Sequence, residues 1–210
     1  FANVFNCLNK EGGPSTTFPM GGTWMTVALC AIERTVKPDP DGNYLSVRPP
    51  EDSADPDDPF AEVQMYWHMN RVHDYFKGTH GETALDRPLR AIVNVQLALT
   101  TDTTGWMPFD NAAFMPRETI GQLGQALGVT LPFDEDAIVF GQGQVDFAYD
   151  GDVIYHEYTH AMVGGNRLLG VRADEYGPDM GPLSLNEALA DYFTTSLTDD
   201  PVLGGWALGQ

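Results

Sequence analysis

The chain has 210 residues, enough for one lobe with a sizeable core and short for two full domains. Its 11 basic and 30 acidic residues give a net charge of -19, which repels nucleic acid and anionic membrane surfaces and favours solubility and divalent cations. No apolar run reaches the roughly eighteen residues a membrane-crossing helix needs, so a soluble protein with partners other than nucleic acid or membrane is expected.

The sequence opens at Phe1 without a charged segment followed by an apolar one, so a mature form that has lost any signal or pro-segment is expected. Residues 1–36 contain glycine turns at Gly12-Gly13-Pro14 and Gly21-Gly22 and the apolar run 24–32, which read as strands. Cys7 and Cys30 flank this segment outside any CxxC pattern. A disulfide closing the loop is expected, with two buried thiols as the alternative; a bridge belongs to an oxidising, extracellular compartment.

Residues 37–59 are rich in proline and aspartate and read as an exposed loop around one short strand near 44–47. Asp39, Asp41 and Asn43 have the alternate spacing of a calcium loop, but no glutamate stands at the twelfth position, so a solvated turn is expected. Residues 60–78 read as a helix capped by Asp58 and ended by Gly78, with an aromatic stripe including Tyr66 and Trp67 turned inward. His68, His73 and His80 on or near it are read as hydrogen-bonded structural histidines rather than ligands.

Residues 90–99 alternate Val93, Val95, Leu97 and Leu99 with Asn94 and Gln96, the pattern of a half-buried strand. A loop over 100–115 follows, then a short amphipathic helix over 116–128 with Ile120, Leu123 and Leu127 inward, and a strand over 137–143 whose glycines admit a close backbone neighbour. A helix over 153–163 is expected next, capped by Asp152 and stopped by Gly164-Gly165. A long loop over 166–182 leads to a last helix over 183–196.

The chemistry is concentrated in the last two helices. His156 and His160, four positions apart, project from one helix face one turn apart and can reach a single ion. Glu157, beside the first ligand and turned toward the same cleft, stands where a general base can take a proton from water. Catalytic zinc takes three protein ligands, so a third must come from elsewhere. Glu187, twenty-seven positions after His160, completes the set. Asp191, one turn further along, is placed to accept the N–H of a ligand imidazole. The rest of that helix is largely apolar, and carboxylates on such a surface usually need a cation.

These motifs resemble the gluzincin metallopeptidases, the thermolysin family and still more the fungalysin family. His156-Glu157-Tyr158-Thr159-His160 and the gap to Glu187 are similar to fungalysin, while Asn186-Glu187-Ala188 with Asp191 is similar to the second helix of thermolysin. Upstream, residues 66–76 resemble the long helix of the amino lobe, Asp110-Asn111-Ala112-Ala113-Phe114 the substrate-holding loop, and residues 138–141 the edge strand that pairs with bound peptide; the resemblance spans roughly 60–200.

The resemblance implies an α+β fold: a zincin-like amino lobe with a mixed β-sheet, a long backing helix and the HExxH helix, followed by the start of a helical second lobe. On that basis residues 1–59 form amino-terminal strands and an acidic loop, 60–165 the catalytic sheet-and-helix lobe, and 166–210 the loop and Glu187 helix. The implied activity is that of a secreted, zymogen-derived zinc endopeptidase, with Asn111 and the Ala112 carbonyl holding a peptide or protein substrate against residues 137–143. Calcium is a further family feature, for which Asp152, Asp174, Glu175 and Asp179 could supply oxygens. The family also has a helical lobe whose histidine stabilises the oxyanion. No histidine follows His160 here, so a missing or separate lobe is expected, with Tyr176 as a lesser candidate for that role. A zinc-bearing lobe that acts as a binding or assembly module with a partner chain is the alternative function, and an extracellular calcium-binding domain a third.

Overall fold

The computed structural model describes residues 1–9, 12–20, 23–52, 55, 57–100, 105–164, 168 and 172–207. The Gly21-Gly22 turn and Gly165 lie outside the described residues. In chain order the elements are β1 (Ala2–Asn9), β2 (Ser15–Met20), β3 (Thr23–Leu29), β4 (Ala31–Glu33), α1 (Phe60–His80), β5 (Leu89–Thr100), β6 (Met107–Pro108), β7 (Ala112–Met115), α2 (Arg117–Leu127) and β8 (Ala137–Gly141). A 3₁₀ turn (Phe147–Tyr149) then leads into α3 (Gly151–Val163), β9 (Arg172–Asp174), β10 (Gly177–Asp179) and α4 (Gly181–Thr198). Among the described residues the fold is mixed α+β: a curled, mixed eight-stranded sheet with four α-helices, and a separate β9–β10 hairpin.

β5 organises the sheet. Its first half pairs in parallel with β1 and β8, and its second half pairs antiparallel with β3 and β6. The halves meet at Asn94, whose φ of 55° is a left-handed conformation that asparagine tolerates better than most residues, and the register with β8 shifts there. β5 is therefore a central strand rather than a half-exposed one. Asn94 and Gln96 are buried, and the Asn94 Nδ2 group donates to the Asp58 carbonyl at 2.9 Å and to Asn6 Oδ1 at 3.1 Å. Because β1 lies between β4 and β5, the first strands belong to the same sheet as β8.

Residues 44–47 form a turn, closed by the Val47 N–H on the Tyr44 carbonyl, and not the expected strand. Asp39 folds its Oδ1 back onto the N–H groups of Asp41 and Asn43. Two further expected loops contain strands: 100–115 holds β6 and β7, and 166–182 holds β9 and β10. α1 runs to His80 with Gly81 in the left-handed cap, and Asp58 Oδ1 accepts the N–H groups of Phe60 and Ala61. Its buried stripe is Met65, Met69, Val72 and Phe76; Tyr66 and Trp67 are exposed, the reverse of the expected orientation. On α2, Ile120 is buried while Leu123 is exposed.

α1 and α3 pack on one face of the sheet, where Met65, Val72 and Phe76 meet Val93, Ile138 and Phe140. The other face is built around Cys7 and Cys30, which form a disulfide with Cα atoms 5.4 Å apart, together with Ile92 and Val139. At Gly141 a Cβ would stand 1.5 Å from the Phe109 carbonyl oxygen, so only glycine lets the β6–β7 connection lie this close. β8 is flanked on both sides, by β5 and β7, and so is not the edge strand; β7 is. Among the described residues no helix is long and apolar enough to cross a membrane.

Candidate metal centre

Capping and packing fix α3 in place. Its cap is Asp150, two residues before the expected Asp152: Oδ1 accepts the Asp152 N–H at 3.0 Å, and Oδ2 ties down the N–H groups of Trp206 and Ala207. From α1, His68 Nδ1 meets the Tyr155 hydroxyl at 2.6 Å, and burial pushes the His68 imidazolium down to about 4, so the ring is neutral at neutral pH. Tyr155 immediately precedes His156, so this contact sets the rotation of the helix that carries the histidines. His73 pairs with Asp86 at 2.8 Å, and neither ring belongs to the metal-binding cluster.

α4 packs against α3 and brings Glu187 to the histidines. His156 Nε2 and His160 Nε2 are 3.0 Å apart, and Glu187 Oε2 lies 3.2 Å and 3.6 Å from them. Ligand atoms about 2.0–2.1 Å from a tetrahedral zinc stand about 3.3 Å from one another, so the three atoms have the separations of one face of a zinc tetrahedron. Among the described residues this is the only group of three or more His, Cys, Asp or Glu side chains whose ligand atoms lie within 4.8 Å of one another. Asp191 Oδ1 is 3.0 Å from His156 Nδ1, where a carboxylate orients a ligand imidazole through its second nitrogen.

Glu157 is buried beside the cluster. Its Oε2 accepts the Phe114 backbone N–H at 2.6 Å. Burial raises its pKa, against the opposing influence of His160 and that hydrogen bond. A cation held by the neighbouring ligands would act in the same direction as His160. The Phe114 contact was not legible in the sequence, since it belongs to the backbone of a strand hidden in an apparent loop.

That contact also fixes which way β7 presents its backbone. The Asn111 carbonyl accepts the Gly141 N–H and so faces β8, whereas the Phe114 N–H faces away. Backbone groups alternate along a strand, so the carbonyls of Ala112 and Phe114 also point to the free side. Asn111 is exposed and its Oδ1 accepts the Ala112 N–H.

The structure brings together His156, His160, Glu187, Asp191 and Glu157. It draws Asp152, Glu175 and Asp179 into no comparable cluster among the described residues, and the Asp174 side chain lies outside them. Asp179 accepts the Gly181 N–H at the start of α4, and Asp152 sits by Asp150 and the Gly204 N–H. Tyr176 is on the β9–β10 turn and 90% exposed. Asn186, which precedes Glu187 in the chain, is buried, and neither its amide atoms nor the buried His160 Nδ1 has a hydrogen-bond partner among the described residues. No protein-family model and no curated protein matches the chain.

Proposed function

We propose that this protein is a zinc-dependent endopeptidase lobe of the gluzincin type, with the zincin-like arrangement of sheet, backing helix and HExxH helix that the sequence motifs suggest. The observation that carries the reading is the convergence of His156 Nε2, His160 Nε2 and Glu187 Oε2 to within 3.0–3.6 Å beside a buried glutamate, under the free edge of a strand. The Cys7–Cys30 bridge supports an oxidising, extracellular location.

His156, His160 and Glu187 would hold the ion, with Asp191 fixing the His156 tautomer. Zinc in such a set supplies a Lewis acid for a peptide carbonyl and lowers the pKa of water. Glu157 takes the proton of the attacking water and passes it to the departing amine nitrogen. The Phe114 N–H keeps one Glu157 oxygen occupied, which leaves the other for that proton. An extended peptide would pair with β7, where the Ala112 carbonyl accepts from its backbone and Asn111 lies at the strand's end. α4 also exposes Leu185 and Tyr192, about a third of a turn around the helix from Glu187 and Asp191, in keeping with a further lobe or partner chain against that face.

The test is hydrolysis of an unfolded protein with and without a zinc chelator, comparing wild type with Glu157→Gln. Cleavage that the chelator abolishes and Glu157→Gln reduces at least a thousandfold is expected. Cleavage unchanged by Glu157→Gln would refute the general-base role.

A further inference from the structure

The sheet face opposite α1 and α3 holds an apolar cavity of about 380 Å³ that the chemistry above does not use. It runs under β5 and β8 to the free strand β7, with Val95, Phe109, Leu131 and Phe133 among its walls, and none of its lining side chains is charged. In a chain of net charge -19, that absence sets the cavity apart from the surface around it. Leu123 of α2 stands at its rim, 36% exposed. The β7 residues in this face are Ala113 and Met115, while Ala112 and Phe114 pack in the cluster that α1 and α3 cover.

We propose that this cavity is a specificity pocket for alternate apolar side chains of an extended peptide bound along β7. The inference rests on the reading of β7 as the substrate-pairing strand. The outward groups of β7 are those of residues 112 and 114; their N–H groups already donate to Asn111 Oδ1 and Glu157, so an added strand donates to their carbonyls. Residues opposite one another on paired strands share a sheet face, and side chains alternate between faces. Peptide residues opposite Ala112 and Phe114 therefore turn toward Glu157, and those opposite Ala113 and Met115 turn toward the cavity. The two cavity-facing positions are two residues apart in the peptide. Large aliphatic or aromatic side chains there bury against the uncharged walls, whereas aspartate, glutamate or lysine would lose solvation with no partner. Length and reach also agree: the volume holds more than one such side chain, and Ala113 leaves the entrance from β7 open.

The experiment measures binding without turnover. Fluorescein-labelled octapeptides, in which one phenylalanine is moved stepwise through a serine and alanine background, are titrated into chelator-treated full-length protein and followed by anisotropy; cleavage by the zinc-loaded protein is measured in parallel. Phenylalanine at two positions separated by one residue should tighten binding about tenfold to a hundredfold each over serine. Leu123→Asp, which sets a carboxylate at the rim, should reduce that phenylalanine-to-serine ratio at least fivefold, with thermal melting confirming the fold. Should Leu123→Asp melt, Leu123→Ser serves in its place with a smaller loss in the same direction.

A preference without alternation, a ratio unmoved by the rim substitution in a folded protein, or no binding of any peptide overturns the inference. Chelator-sensitive cleavage that ignores those positions leaves the endopeptidase reading standing and removes this one. Alternating preference in binding with no cleavage does the reverse.

Discussion

Replacing Asp146 by asparagine should stabilise the protein, and by more as the pH rises. Asp146 is fully buried, its Oδ1 accepts the Ala148 N–H at 2.7 Å, and its carboxyl group lies near that of Asp58, itself buried. Among the described residues neither carboxylate has a salt-bridge partner within reach, and each Oδ2 lacks a donor. Burial first, and then the Asp58 charge, push Asp146 from 3.8 up to about 8. The folded protein therefore keeps a proton at Asp146 that the unfolded chain gives up above pH 4. Stability falls as pH rises from about 4 to about 8 and levels off beyond. At about 1.4 kcal/mol per tenfold, the whole shift corresponds to about 6 kcal/mol, an upper bound because the two neighbouring carboxyls titrate together and their surroundings relax. Asparagine preserves the acceptor for Ala148, supplies a donor to Asp58, and titrates nowhere in this range. Guanidinium unfolding at pH 5, 6, 7 and 8 should show Asp146→Asn gaining on wild type by roughly 2–4 kcal/mol over the series. A difference that is flat with pH, or a variant destabilised in a calcium-dependent manner, would refute the retained proton on Asp146; the second result would mean a bound cation stands between the two carboxylates.

Removing the Cys7–Cys30 bridge, which spans a sequence separation of 23, should cost about 3 kcal/mol by loop entropy, read as a lower denaturant midpoint in the double serine variant. Gly151→Ala would put a Cβ 2.5 Å from the His68 ring and should destabilise by roughly 1–3 kcal/mol, with His68→Ala in the same chain restoring part of the loss in thermal melts. If zinc sits at the proposed site, Asp191→Ala should weaken its binding about tenfold to a hundredfold in a chelator competition while leaving the fold intact, because its carboxylate meets His156 Nδ1 and not the Nε2 atom that converges with His160 and Glu187.

The His156–His160–Glu187 cluster was legible because its geometry is dictated by spacing along helices. Four positions between His156 and His160 fix a shared face whatever surrounds it, and Glu187 and Asp191 likewise stand one turn apart on α4; both carboxylates are half exposed, so the apolar setting expected of them is not what places them. Elements whose placement depends on distant neighbours were not legible. The four residues of β7 carry no alternation of apolar and polar side chains, so their strand character comes only from pairing with β8. Asn94 and Gln96 looked solvent-facing by alternation, yet β1, β3 and β8 close over β5 and the amide of Asn94 is satisfied by Asn6 and Asp58. α1 is apolar on more than one side, so periodicity did not distinguish its methionine face from its aromatic one, and the sheet chose the narrower methionines. Because β8 has strands on both sides, the free edge moved to β7, which carries Asn111-Ala112 at its start and donates to Glu157 from Phe114.

The most direct measurement of the central claim is the zinc X-ray absorption spectrum of the protein after dialysis against sub-stoichiometric zinc, alongside the Glu187→Ala and Glu157→Gln variants. About one tightly held zinc per chain is expected, with nearest-neighbour scattering from two imidazoles and a carboxylate oxygen at about 2.0–2.1 Å. Glu157→Gln should leave that spectrum unchanged, and Glu187→Ala should remove one oxygen and weaken retention. Zinc that binds without imidazole scattering, or a spectrum indifferent to Glu187→Ala, would contradict that claim.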